Sequence, residues 1–569
     1  MLLPSSSLIM RHRIRHSLIS YPASLPRRPY SSKFTPSKYR NRVALPLILA
    51  VAGGSYYAYH HHTPTRHTVT AVWRCTYAGY VGSAIALDYK LNFWKKFGSE
   101  VEERENKRRV HKRSAERVLE GCKRLGGIYI KLGQHLSAMQ YILPPEWTKT
   151  LAPLQDRCPA TPFQEVEQLF LSDLGQSLQS LFSHFDPIPI GVASLAQVHR
   201  ARLRDTDQLV AVKIQHPHLD EYCRVDLAVT TQIIEFVRWA FPEFEFGWLA
   251  EEMNTSLPVE MDFRCEAENA RRVQRNFAGA RTSLKVPDVL WAQRRILCME
   301  FIEGGRIDNL EYLQEHKIDV NKVSLELARI FSEMIYLQGY VHCDPHPGNL
   351  LIRPSQPSSH SPHNFEIVLL DHGLYRDLPP QFRVNYAHLW TAIIRGSEEE
   401  IAYYSRQVGG TEAHRLFACI LTGRDWAAIG EGKLTDGGWT EAEAERIREG
   451  AAEYALEIVE LLAKVPRLLL LLFKTNDLLR SVDVALRTTH GDKATIVVMA
   501  RFCAAAVFED CNHRVTELIQ TRGLQWSVLR EWCGCLMNYW SVEMRLFAMA
   551  GLEWIKGLLS LSVARLLAF

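Results

Sequence analysis

The stretch Val341-His-Cys-Asp-Pro-His-Pro-Gly-Asn349, with the later run ending Leu370-Asp371-His372-Gly373, limits most sharply what this chain can become. Asp344 and Asn349 stand in the pattern H-x-D-x-x-x-x-N. The run Phe365-Glu-Ile-Val-Leu-Leu370 reads as an apolar strand and carries a second carboxylate, Asp371, to its end. An Asp so placed can face a hydroxyl, while an Asn and a second Asp can hold metal ions that bridge phosphates. The pattern alone is weak. It gains weight from a helical segment before it (Val323 to Gln338), the strand after it, and an upstream Ala-Val-Lys ending at Lys213.

A chain of 569 residues can carry one two-lobed domain with extensions. With 47% hydrophobic and 23% charged residues it reads as globular, and a net charge of +4 asks for no nucleic acid or other polyanionic partner. The 12 cysteines show no framework. Cys533/Cys535 and Cys511/His513 are half-sites at best, so free, mostly buried thiols are expected.

No acidic residue precedes Asp88. Residues 1–42 are rich in Arg, Lys and Ser, the composition of a mitochondrial transit peptide and basic linker, with cleavage expected near Tyr30. The uncharged run 43–59 sits at the lower limit for a membrane-spanning helix, and Tyr56, Tyr57 and Tyr59 suit an interface. Leader and span together predict the mitochondrial inner membrane. Basic residues before the span place the bulk of the chain on the intermembrane-space side. Residues 60–98 read as membrane-proximal; the apolar segment Val69–Leu87 is interrupted by Arg74 and is expected to lie at an interface or pack on the domain.

A helical extension is expected over 99–182, a strand-rich small lobe over 183–304 and a helical large lobe over 305–569. The extension starts with a charged helix (Glu100 to Arg124) and then carries Lys131-Leu-Gly-Gln134, which sets Lys131 and Gln134 on one helical face. The small lobe opens with Gly191-Val-Ala-Ser-Leu-Ala196 between strands and closes its third strand at Lys213. Glu260 and Asp262 are too close in sequence to face the same way from one helix, so a bend or a helix start is expected there. Glu266 is within reach of Lys213. The run Arg295 to Gly304 reads as a strand entering a hinge, with backbone near Met299 to Ile302 available to a purine ring. Pro466 to Arg480 reads as a core helix, and the apolar tail from Met544 as a membrane-surface or packed terminal helix.

These motifs together resemble the UbiB-like, or aarF-domain, atypical kinase family, and Asp371-His-Gly373 looks like its mitochondrial branch tied to lipid homeostasis. The resemblance implies an α+β, two-lobed protein-kinase-like fold with an N-terminal helical extension and a mostly helical large lobe. It implies ATP and Mg²⁺ as cofactors, held by Ala193, Ser194 and Ala196 of the small-residue loop, by Lys213 paired with Glu266, by the hinge at Met299 and Ile302, and by Asn349 and Asp371 for the metal. Asp344 is the implied base. Lys131, Gln134, Glu260 and Asp262 are implied to close over the substrate side and exclude peptides. That favours a membrane lipid or small lipophilic molecule as substrate, or hydrolysis of ATP. A nucleotide-sensing pseudokinase bound to a lipid or membrane partner is the alternative, as is an accessory role in coenzyme Q synthesis. Cys343 replaces the Arg of H-R-D, and neither a G-x-G-x-x-G loop nor an A-P-E segment is present, so ordinary protein-kinase activity is not expected.

Overall fold

In the computed structural model the chain divides into two units, residues 1–69 and 70–569. The described residues are 62–566 without 140–142, 156–159, 218, 242–246, 358, 425, 431–460, 462–464, 490–491 and 524. The expected leader and the 43–59 span lie outside them. Among the described residues no helix is long and apolar enough to cross a membrane.

The first unit contributes the opening turns of helix α1 (Thr63–Phe93). In the second unit α1 packs within the domain. Arg74, which interrupts its apolar run, donates to both carboxylate oxygens of Asp226 at 3.0 and 2.5 Å and to the Leu125 carbonyl at 2.7 Å. Helix α2 (Glu100–Leu125) is capped by Ser99, whose hydroxyl accepts from the Glu102 N–H; its acidic first turn suits the helix dipole. One face of α2 is solvated, whereas Val110, Ala115 and Cys122 are buried. The turn through Gly126 and Gly127 has positive φ at both, and a Cβ on Gly127 would lie 2.7 Å from Leu219 Cδ2. That turn reverses the chain into α3 (Ile128–Ala138), followed by α4 (Pro145–Leu151) and α5 (Phe163–Leu174).

The small lobe is an antiparallel sheet in the order β1-β3-β4-β7-β6, with β2 paired to β3. Its strands are β1 (Phe182–Phe185), β2 (Gly191–Val192), β3 (Ala196–Leu203), β4 (Leu209–Gln215), β6 (Val289–Ala292) and β7 (Ile296–Glu300), with β5 (Leu284–Lys285) belonging to another sheet. Alternation along β4 explains the site. Val210, Val212 and Ile214 point to one face and meet Phe170 of α5. Each such fully buried side chain contributes about 1.5–3 kcal/mol. Ala211 points to the other face with Leu297 and Met299, and Lys213 shares that parity. Helices α6 (Leu219–Ala240), α7 (Gly247–Glu260) and α8 (Phe263–Phe277) follow. The buried stripe of α8 runs Phe263, Glu266, Ala267, Ala270, Val273, Phe277, so Glu266 is carried inward at helical spacing.

The large lobe holds β5 in a four-stranded sheet with β8 (Gly305–Arg306), β10 (Leu350–Pro354) and β11 (Phe365–Leu369), in the order β5-β11-β10-β8. Strands β9 (Tyr340–His342) and β12 (Tyr375–Asp377) pair separately, Tyr375 opposite His342. Helices α9 (Val320–Ser332), α10 (Pro380–Arg395), α11 (Glu398–Gly409), α12 (His414–Thr422), α13 (Arg467–Leu486), α14 (Asp492–Arg522) and α15 (Trp526–Leu566) supply most of the rest. Leu469, Leu472 and Phe473 bury α13 in the main core with Tyr386 and Phe417. The fold is α+β and two-lobed with a helical large lobe, as the motifs imply.

The cysteines need one correction. Cys511 and Cys535, expected to be free thiols, form a disulfide between α14 and α15, with Cα atoms 6.5 Å apart. The antiparallel return of α15 along α14 brings together residues separated by 24 positions, which spacing alone does not reveal.

Candidate active site

Lys213 is the centre of the cleft. Its Nζ lies 2.6 Å from Glu266 Oε1 and 3.0 Å from Asp371 Oδ2. Burial alone would lower the Lys213 ammonium, but the charges of Asp371 and Glu266 outweigh it and hold it above the usual lysine range. Burial raises the Glu266 carboxyl, while Lys213 pulls it back. Asp371 is held well below the usual carboxylate range: burial opposes this, but Lys213 and the Gly373 N–H, 2.8 Å from Oδ1, win. A Cβ on Gly373 would come within 3.1 Å of that same oxygen, so the glycine suits the turn.

The Val341–Asn349 segment is stapled to Asp371 by His342. Its Nε2–H donates to the Asp371 carbonyl at 2.9 Å, and its Nδ1 accepts from the Asp344 N–H at 3.3 Å. Asn349 donates from Nδ2 to the Asp344 carbonyl at 3.2 Å, and its own carbonyl accepts from the Leu370 N–H at 3.0 Å. The Asn349 amide oxygen and the Asp371 carboxylate are hard oxygen donors of the type Mg²⁺ takes alongside phosphate and water. With Lys213 beside them, the donor set fits a metal–nucleotide complex.

His372 stands where D-F-G has Phe. It is buried, donates from Nε2 to the Leu369 carbonyl at 3.0 Å and accepts at Nδ1 from the Tyr375 hydroxyl at 2.9 Å. Burial pushes its imidazole down to about 3, so it is neutral at physiological pH. Its backbone carbonyl accepts from Asn269 of α8 at 2.9 Å, which ties the helix bearing Glu266 to the Asp371–Gly373 turn.

The small-residue loop lies between β2 and β3. Ala193 donates its N–H to the Ala196 carbonyl at 2.7 Å, and the Ser194 hydroxyl donates to Gln134 Oε1 at 3.3 Å. Gln134 also donates to the Leu154 carbonyl at 2.9 Å, so α3 is clamped to the loop. Gly133 lets that helix approach closely, because a Cβ there would meet Leu154 Cδ1 at 2.3 Å. Met299 and Ile302 are buried at the end of β7 and in the hinge. Next to them, a Cβ on Gly304 would lie 2.8 Å from the Ile352 carbonyl oxygen.

The four residues expected to gate the cleft divide. Lys131 Nζ is 2.7 Å from Glu260 Oε2, with side chains 15% and 7% exposed. Burial opposes the Lys131 charge, but Glu260, Asp344 and Asp371 together raise its pKa above the usual range. Asp262 does not join them. Glu260 ends α7, whereas Asp262 caps α8 and pairs with Arg264 at 2.6 Å, which is the bend their spacing demands.

A profile of the ABC1 atypical kinase-like domain matches residues 153–405. The chain is 43% identical over 453 residues to the ABC1 family protein MCP2 homolog of Schizosaccharomyces pombe, covering 79% of this chain and 81% of that protein. The chain belongs to the ABC1 atypical kinase-like family. The AarF domain-containing protein kinase 1 of Xenopus laevis is 41% identical, covering 81% of this chain and 87% of its own length. The ABC1 family protein MCP2 of Saccharomyces cerevisiae is 37% identical, covering 83% and 84% respectively.

This ABC1-family chain brings two further residues to the site, both outside residues 153–405 and outside its motifs. Lys474 of α13 places Nζ 3.0 Å from Asp344 Oδ1. Burial would raise the Asp344 carboxyl, but Lys474 and Lys131 hold it well below its ordinary value. His135, next to Gln134, is pushed down to about 3 by burial, with Lys474 and Lys131 adding to the effect. The signal for Lys474 is only that it opens the polar run Lys474-Thr-Asn-Asp477 after five leucines and Phe473. Nothing in that run says which acid it meets.

Proposed function

We propose that this protein binds ATP with Mg²⁺ in the interlobe cleft and catalyses phosphoryl transfer or ATP hydrolysis, on a small or lipophilic acceptor rather than on a peptide. The carrying observation is Lys213 held between Glu266 and Asp371 at 2.6 and 3.0 Å. A lysine so placed can hold phosphate oxygens while Asp371 and Asn349 hold the metal. Bound Mg²⁺ would supply charge neutralisation between phosphates. Asp344 would orient the acceptor; its depressed pKa makes it a weak proton acceptor, which favours hydrolysis or transfer with little need of a base. Helix α3, closed over the site by the Lys131–Glu260 and Gln134–Ser194 contacts, supports exclusion of large substrates.

The same weak basicity of Asp344, with Lys474 bound to it, supports a second reading, in which nucleotide is sensed without turnover. Single-turnover phosphate release from ATP by purified protein separates them. Release that Asp371→Asn abolishes supports catalysis, and MgATP binding without release supports sensing.

The basic leader and the 43–59 run support mitochondrial import and inner-membrane attachment with the domain in the intermembrane space, and the resemblance carried by Asp371-His-Gly373 supports a role in lipid homeostasis. The Cys511–Cys535 disulfide suits an oxidising compartment rather than a reducing one.

A further inference from the structure

Helix α3 separates two different environments. Lys131, Gln134 and His135 are on the cleft side, and Tyr129, Leu132 and Leu136 are on the opposite face at helical spacing. That opposite face lines a cavity of about 290 Å³ among α1, α2, α4 and α6, whose walls include Ile85, Cys122, Ile233 and Val237. A cavity of about 150 Å³ with walls of this kind stays dry and takes a hydrocarbon, and this one is larger.

The cavity does not stand alone. Tyr89 and His111 form part of its wall and also part of the wall of a second hollow of about 250 Å³, lined by Asn92, Lys95, Asn106 and Lys107. The Tyr89 hydroxyl and His111 Nδ1 are 2.6 Å apart, and Trp147 Nε1 donates to that hydroxyl at 3.1 Å. Burial pushes the Tyr89 phenol up to about 12 and lowers the His111 imidazole, so the partition is uncharged. Beyond it the hollow is polar. Lys107 is paired with Glu103 at 2.7 Å, whereas Lys95 bonds only the Asn92 amide oxygen and has no carboxylate partner among the described residues. Hydrocarbon walls on one side and a solvent-exposed ammonium without a carboxylate partner on the other are the two halves of an amphiphile's site. Val72, Trp73, Tyr80, Leu87 and Trp94 are exposed on or just after α1, an apolar surface suited to a bilayer from which such a molecule would enter.

We propose that these joined hollows bind an anionic membrane phospholipid, one acyl chain in the apolar cavity and the phosphate at Lys95. The site is distinct from the nucleotide cleft and stands back to back with it across α3.

The test uses the full chain in mild detergent, mixed with vesicles of phosphatidylcholine that carry phosphatidic acid with a 9,10-dibromostearoyl chain. Bromine quenches indole on contact, and Trp147 lines the cavity. The contribution of Trp147 is the difference between the protein and its Trp147→Phe variant, so exposed tryptophans cancel. Saturable quenching of that contribution is expected. It should weaken at least about tenfold in Gly121→Met. A Cβ on Gly121 meets only the two methyls of Val81, at 3.6 and 3.7 Å, so the added chain can enter the cavity. Lys95→Glu should weaken the brominated phosphatidic acid about fivefold and leave brominated phosphatidylcholine unchanged. Absence of quenching that depends on Trp147 overturns the proposal even if Gly121→Met fails to fold. Unaltered quenching in a folded Gly121→Met overturns it as well. Equal binding of both lipids by Lys95→Glu and the unaltered protein removes the assigned head site, and a preference for free dibromostearate over the phospholipid removes the membrane source.

Discussion

Lys474 and Asp344, 130 residues apart in sequence, meet at 3.0 Å, so the helical core of the large lobe reaches directly into the Val341–Asn349 loop. The pair is partly buried, 15% and 29% exposed. Together with Lys131 it sets the charge state of Asp344. A carboxyl depressed in the folded state contributes stability that is complete above its unfolded value of about 3.9 and is lost as pH falls through the folded value. Lys474→Met removes the larger of the two opposing charges, so burial gains the upper hand and Asp344 titrates higher. The expected result is a loss of about 1–3 kcal/mol in denaturant unfolding and an acid limb of ATP hydrolysis moved to higher pH. An unmoved acid limb would show that Lys474 leaves the Asp344 charge alone.

Asp371 is the residue on which metal binding should depend. At MgATP concentrations about 100 times Kd, binding stabilises a protein by about 2.7 kcal/mol. Asp371→Asn keeps the shape of the side chain and removes its charge. Its thermal melt should show no rise with MgATP, against a clear rise for the unaltered chain. An equal rise in both would remove Asp371 from the metal site.

The site was legible where chemistry is local and opaque where it is tertiary. Lys213, Glu266, Asp344, Asn349 and Asp371 sit in short motifs whose spacing already fixes strand parity, helix face or loop position. The partition of Glu260 and Asp262 was half legible: their spacing demanded a bend, but only the fold shows that Lys131 meets Glu260 while Asp262 caps α8 and turns to Arg264. Lys474 and the Cys511–Cys535 disulfide were not legible, because each depends on how two distant helices pack. The apolar cavity behind α3 was equally hidden. Tyr129, Leu132 and Leu136 read as ordinary core positions, and only the assembled helices leave space among them.

His372 fills the D-F-G phenylalanine position as a buried, neutral, hydrogen-bonded ring. His372→Phe puts a larger ring into a buried position and strands the Leu369 carbonyl and the Tyr375 hydroxyl. A stability loss of about 1–3 kcal/mol is expected, with MgATP affinity kept within about threefold because Asp371 and Gly373 are untouched. Loss of nucleotide binding in a folded His372→Phe would mean that the histidine acts on the site directly.

The topology proposal and the disulfide can be checked together. In mitochondria with ruptured outer membranes, added protease should degrade the domain, and peptide mapping without reductant should recover Cys511 linked to Cys535. Protection until the inner membrane is dissolved would place the domain in the matrix, and free thiols at both positions would remove the argument for an oxidising compartment.

The Lys131–Glu260 contact is the sharpest test of gating, because it joins α3 to the cleft through a buried ion pair. Glu260 Oε1 is already buried with no hydrogen-bond partner among the described residues. Lys131→Ala would leave the whole carboxylate uncompensated, at a cost of about 3 kcal/mol. Glu260→Gln in the same chain should restore much of that, since an uncharged amide is easier to bury. Stability and gating therefore come apart in the double variant. Lys131 also feels the charges of Asp344 and Asp371 and raises the local positive potential where the proposed divalent cation would enter. Removing that charge should strengthen Mg²⁺ binding in the presence of ATP by about five- to tenfold, read as the Mg²⁺ concentration that half-saturates the nucleotide-dependent melt. A purely structural lysine predicts a lower melting temperature in Lys131→Ala, recovery in the double variant, and no change in Mg²⁺ dependence in either. Unchanged Mg²⁺ dependence in the refolded double variant would end the gating assignment.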